Sequence, residues 1–241
     1  MGKPPKIDRK ALKQPDEFVT SGRSFVDVLV DHRKSVGILV GVVCAVAAIY
    51  YSYSWWNQRQ LNRGWLDYLE VSKMEKPEEK WAAMAGFFEK ASNLRPRYQA
   101  AIDLGDHYFG ELKAATEDPK KEKPSGENLA VKWYSNALSY GALLPMERQL
   151  VLINLGQSYE LSGDRESAKA QYESAAAIEG EAKGLALLNV GRVYELLGDT
   201  AKAKENYEKV TKDFAGTEYA RLAKNYQRAI DSPLVKELSG K

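Results

Sequence analysis

The sequence predicts an all-α protein: a single N-terminal transmembrane helix, then a solenoid of helical hairpins closed by a C-terminal capping helix. Three observations in the 241 residues carry that prediction. No charged residue stands between Ser35 and Gln58. A pattern of leucine, glycine, tyrosine and alanine recurs at a fixed spacing further on. An amphipathic segment from Thr217 to Ile230 follows the last copy.

A helix needs roughly 20 mostly apolar residues to cross a bilayer. The run 35–56 supplies them, with Val36, Ile38, Leu39, Val42, Val43 and Ile49 as its apolar body. Tyr50, Tyr51, Tyr53, Trp55 and Trp56 gather at its far end, where amphipathic rings prefer the membrane interface. Ala45-Val46-Ala47 resembles a signal-peptidase pattern but sits inside the run instead of after it, and Gly41-Val42-Val43 makes a poor lipobox before Cys44. The run is therefore expected to be an uncleaved anchor.

Net charge is +2, of which residues 1–34 hold +3 and the remainder −1. Nothing in that balance argues for nucleic acid. The lone cysteine, Cys44, excludes an intrachain disulfide or a cysteine-based metal site. Arg33 and Lys34 abut the start of the run, but Arg59, Arg63, Lys73 and Lys76 follow its end, so the bases alone leave the orientation open. The adjacent pair and the short tail favour the tail inside and the large domain outside. Residues 1–14 read as a disordered basic tail. Residues 15–34, with Phe18, Val19, Phe25, Val26, Val28, Leu29 and Val30 at near-helical spacing, read as a juxtamembrane amphipathic helix or as an extension of the membrane helix.

Beyond the anchor, Leu152-x-x-Leu155-Gly156-x-x-Tyr159 precedes Ala168-x-x-x-Tyr172 and Ala175. Leu187-x-x-Val190-Gly191-x-x-Tyr194 precedes Ala203-x-x-x-Tyr207 and Val210, 35 residues later. Gly163-Asp164 and Gly198-Asp199 fall where a first helix must turn into a second. This pattern resembles the tetratricopeptide repeat, with leucine at the usual tryptophan position. The resemblance implies stacked hairpins, small residues where helices A and B cross, and tyrosines between them.

An earlier copy, Ala101-x-x-Leu104-Gly105-x-x-Tyr108 and Ala130-x-x-x-Tyr134, has 25 residues from glycine to alanine where the others have 12. The excess is expected as a charged, proline-broken loop within 112–128. A degenerate copy before it carries Gly64, Phe88, Ala91 and Pro96. The solenoid is thus expected over 57–232, about four repeats and a cap, with 233–241 as a tail.

His32 and His107 have no partner pattern of a catalytic or metal site, and no phosphate loop or nucleophile elbow is present. No enzyme activity, cofactor or metal is expected. The resemblance places ligand contacts on helix A: Leu150, Ile153, Asn154 and Gln157 in one repeat, Leu185, Leu188, Asn189 and Arg192 in the next. Glu160 and Glu195 extend those two sets, and the interrupted repeat adds Gln99, Ile102, Asp103, Asp106 and Phe109. Asn154 and Asn189 resemble an asparagine of the family's peptide-carboxylate clamps, whereas Ile102 and Asp106 stand where lysine and asparagine would complete one. An apolar stripe with polar edges fits an apolar segment of a partner, the protein's own chain or a second copy.

Short tail, single membrane helix with an aromatic exit and repeat domain together resemble the bacterial Sec-translocon ancillary subunit family. That resemblance implies a single-pass inner-membrane protein with a cytoplasmic N-terminus and periplasmic repeats. It further implies a scaffold or chaperone-like adaptor that meets translocon subunits, periplasmic chaperones or exported clients. The alternatives are an assembly factor of another envelope machine, or a cytosol-facing membrane adaptor. Homo-oligomers are compatible with either.

Overall fold

The computed structural model describes residues 30–118, 128–139 and 143–232, which hold nine helices of 11 residues or more and no strand. The expected tail (1–14), most of the juxtamembrane helix, most of the insert and the final tail (233–241) lie outside the described residues. The chain divides into two compact units, Met1–Arg59 and Gln60–Lys241.

In the first unit, helix α1 begins at Arg33. Its apolar side chains Ile38, Leu39, Val42, Val43, Ile49, Trp55 and Trp56 are exposed, and Val36 is half-covered. By length and composition this helix can cross a membrane. The Arg59 guanidinium lies over the Trp55 ring, 5.3 Å from its centre. Helix α1 runs on to Ser72, past the end expected at Trp56; residues 57–72 contain no proline, and Gly64 is taken up within the helix.

The second unit is built from hairpins. Helices α2 (Pro77–Lys90), α3 (Leu94–Glu117), α4 (Leu129–Ser139), α5 (Pro145–Leu161), α6 (Arg165–Ala176), α7 (Lys183–Leu196), α8 (Thr200–Asp213) and α9 (Glu218–Asp231) follow one another. The pairs α3/α4, α5/α6 and α7/α8 are the three hairpins expected around Gly105, Gly156 and Gly191. The last turn of α1 lays Tyr68 and Val71 on the core that Met84 and Phe88 of α2 share with α3 and α4. Gly64 meets Asn93 and Pro96 at the start of α3, with no helix-B tyrosine over it. The degenerate first copy therefore closes differently from the rest.

The turns follow from two residues each. Gly163 and Gly198 adopt φ of 88° and 84°, a conformation that costs a side-chain-bearing residue energy. The next residues, Asp164 and Asp199, return their amides to the carbonyls of Tyr159 and Tyr194 at 3.0 and 2.9 Å. Their carboxylates then cap α6 and α8 by accepting from the Ser167 and Lys202 amides. Among the described residues, the α3/α4 connection shows no such pair. Helix α3 continues to Glu117, so 112–117, read as the start of the insert, is helical. Asn128 caps α4 instead, its side chain accepting from the Val131 amide.

Three apolar cores run through the unit, one per hairpin interface. Helix α9 completes the last, placing Ala223 and Ile230 against Leu188, Tyr207 and Val210.

Candidate protein-binding groove

Each hairpin repeats one arrangement. A helix-B tyrosine lies flat against a helix-A glycine, so close that a Cβ on Gly105, Gly156 or Gly191 would fall 2.6, 2.6 or 2.5 Å from the ring of Tyr134, Tyr172 or Tyr207. All three rings are fully buried. Their hydroxyls emerge on the helix-A face and donate to carboxylates there: Tyr134 to Asp106 at 2.6 Å, Tyr172 to Glu160 at 3.1 Å, Tyr207 to Glu195 at 3.0 Å. A fourth pair, Tyr68 to Asp103, joins the end of α1 to the same face, and Gln99 also donates to Asp103. The sequence pattern predicts the rings but not these hydroxyl contacts, since the acceptor stands one residue after the glycine in α3 and four after it in α5 and α7.

Two contacts link neighbouring helix-A faces. Asn154 approaches Asp106 at 3.5 Å. Arg192 grips Glu160 with both guanidinium nitrogens and also donates to the Asn189 side-chain oxygen. Burial disfavours the charge on Arg192, but the Glu160 hydrogen bond and charge outweigh it and hold the guanidinium's pKa above its ordinary value. Burial likewise pushes the Asp106 carboxyl up, the nearby Asp103 charge adding to it and the Tyr134 bond opposing it. Burial is also the first cause holding the three stacked tyrosines well above ordinary phenols, the neighbouring carboxylates adding to it. Between these helices lies a cleft of about 420 Å³ walled by Phe109, Lys113, Gln157, Glu160, Leu161 and Arg192.

Of the eight expected groove residues, Leu150 is 39% exposed and Asn154, Gln157, Leu185 and Arg192 are half-exposed. Three differ. Ile153 (1% exposed) packs into the core of α5, α6 and α7, and Leu188 (4%) into the core closed by α9. Asn189 (5%) is also withdrawn from the surface, its Nδ2 without an acceptor among the described residues. These positions face the following helix, because stacking turns part of each helix-A face toward its neighbour. Lys113 and Leu161 enter the cleft wall without having been expected there; Lys113 sits in the stretch read as loop.

Residues 151–181 match the tetratricopeptide repeat family, and so do residues 185–217. The hairpins α5/α6 and α7/α8 are thus tetratricopeptide repeats. The two matches cover α5/α6 and α7/α8, and the α3/α4 hairpin repeats their glycine–tyrosine stack with a longer connection. No curated protein matches the sequence. Tetratricopeptide repeats imply a protein-binding scaffold role for this region.

Proposed function

We propose that this protein is a membrane-tethered scaffold whose repeats face the bacterial periplasm and act beside the Sec translocon, engaging translocon subunits, periplasmic chaperones or exported clients. The observation that carries the tethered scaffold is a protein-binding repeat array in the same chain as one helix able to span a bilayer. Tethering concentrates the groove at the membrane without any added contact. The outward orientation is supported by Arg33 and Lys34 directly before the apolar run. The translocon assignment is supported by the layout of tail, anchor and repeats. The role we propose is binding alone: tyrosine hydroxyls and Arg192 orient the groove's carboxylates as a fixed surface.

In-cell photocrosslinking from position 150, an exposed groove residue, tests this. Adducts to translocon subunits, periplasmic chaperones or exported chains are expected. Adducts confined to another envelope machine would overturn the translocon assignment. A reporter fused after Lys241 that is active only in the cytosol would overturn the topology.

A further inference from the structure

Charge is distributed unevenly over the repeats. On the outer surface Glu166, Asp199, Glu205 and Glu218 each pair with a lysine or arginine one turn away. The helix-A face carries Asp103, Asp106, Glu160 and Glu195 against Arg192 and Lys113, with Arg192 spent on Glu160 and Lys113 beside Glu117 at 3.9 Å. The other three carboxylates have no cationic partner among the described residues. Their tyrosine and glutamine donors orient them without neutralising them, and a carboxylate has room for about four hydrogen bonds, so each keeps free acceptor capacity.

The N-terminal ends of α5 and α7 add apolar side chains beside Arg148 and Lys183. Met146 is 48% exposed and Leu150 39% exposed on α5, and Leu185 stands on α7 at the position equivalent to Leu150. From Leu185 to Glu195, or Leu150 to Glu160, is ten residues, about 15 Å along a helix axis. That width suits an α-helix of about 10–12 Å diameter lying across the helix-A row. Beneath the Arg192–Glu160 pair, Asn189 holds its unused amide donor.

We propose that the groove takes a cationic amphipathic helix of a partner protein, its lysines or arginines against Asp103, Asp106 and Glu195 and its apolar side against Met146, Leu150 and Leu185. The proposal rests on the groove reading above and adds the chemistry of the occupant. Helix-in-groove docking supplies the apolar contacts, and opposite charge sets specificity and encounter rate.

The test uses the full-length chain in nonionic detergent with a photocrosslinker at position 150, and two synthetic 18-residue peptides. Both carry leucines at helical spacing; one has lysine and the other glutamate at every remaining position. The lysine peptide is expected to bind at least about tenfold more tightly in 0.1 M salt, with the gap closing at 0.5 M salt, and to crosslink at position 150. The variant D103N/D106N, and E195Q separately, should each narrow the gap while leaving far-UV circular dichroism unchanged. Amide oxygens still accept the tyrosine hydroxyls, so the packing is kept. Glutamate-peptide binding that is equal or tighter, with crosslinks at 150, would overturn the cationic occupant and leave the groove standing. Absence of crosslinks from either peptide would remove both.

Discussion

A glycine inside a helix costs up to about 1 kcal/mol relative to alanine, yet α3, α5 and α7 keep Gly105, Gly156 and Gly191. The reason is the ring against each of them, and it yields a sharp contrast between positions. Gly156→Ala and Gly191→Ala should each destabilise the repeats by roughly 1–3 kcal/mol in urea melts, because the new methyl has no space beside Tyr172 or Tyr207. Gly110→Ala, which meets nothing within 4 Å, should be neutral or stabilise by up to about 1 kcal/mol. The stacked tyrosines also make the fold alkali-sensitive. Their folded pKa lies above the unfolded value, so stability is intact below about pH 10 and declines as the unfolded chain releases those protons first. Tyr172→Phe and Tyr207→Phe should flatten that decline in melts between pH 8 and 11. The glycine–tyrosine pairing was legible from spacing, since both residues recur at one offset. Gln149 was not. Fully buried, it donates to the carbonyls of Ala175, in the last turn of α6, and of Ile178, just past it, and no periodic pattern marks a glutamine that acts by reaching across to another helix. Gln149→Ala should cost about 1–3 kcal/mol, since both bonds are lost and only Ala175 keeps another donor, the Ile178 amide.

Among the elements, the turns were the most readable and the connections the least. Gly163-Asp164 and Gly198-Asp199 each encode a positive φ and a cap, and the structure uses both residues that way. Hydrogen bonds from Ser167 and the Lys202 amide hold the Asp164 and Asp199 carboxyls below the ordinary carboxylate range. Their contribution is therefore present at neutral pH and lost as pH falls through the folded value. The double variant D164N/D199N should show a shallower loss of stability on acidification from pH 6 to 3, measured by urea melts at each pH. The end of α3 was misjudged because proline at 119 drew attention to a break, while 112–117 is rich in good helix formers. The buried Ile153 and Leu188 were misjudged for a related reason. Helix-A positions that open onto a groove and those that meet the next helix differ by one step of about 100° around the axis, finer than a hydrophobic pattern resolves.

At the scale of the whole molecule, stability passes from hairpin to hairpin and stops at α9. Removing residues 218–232 should uncover Leu188 and Tyr207, and the shortened repeat unit should elute as aggregate on size exclusion where the full chain does not. The last interface also differs in kind from the others. Tyr226 stacks on Tyr207 with ring centres 5.4 Å apart, and past it α9 turns exposed polar residues such as Lys224 and Asn225 outward. The array therefore has a direction of growth. A duplicated hairpin inserted ahead of α9 would meet the same glycine-and-tyrosine surface its parent meets and lengthen the row of binding positions. Among the described residues, the side of α9 beyond that interface offers Lys224 and Asn225 instead. Duplication of a hairpin ahead of α9 is therefore a route by which this row of binding positions can lengthen.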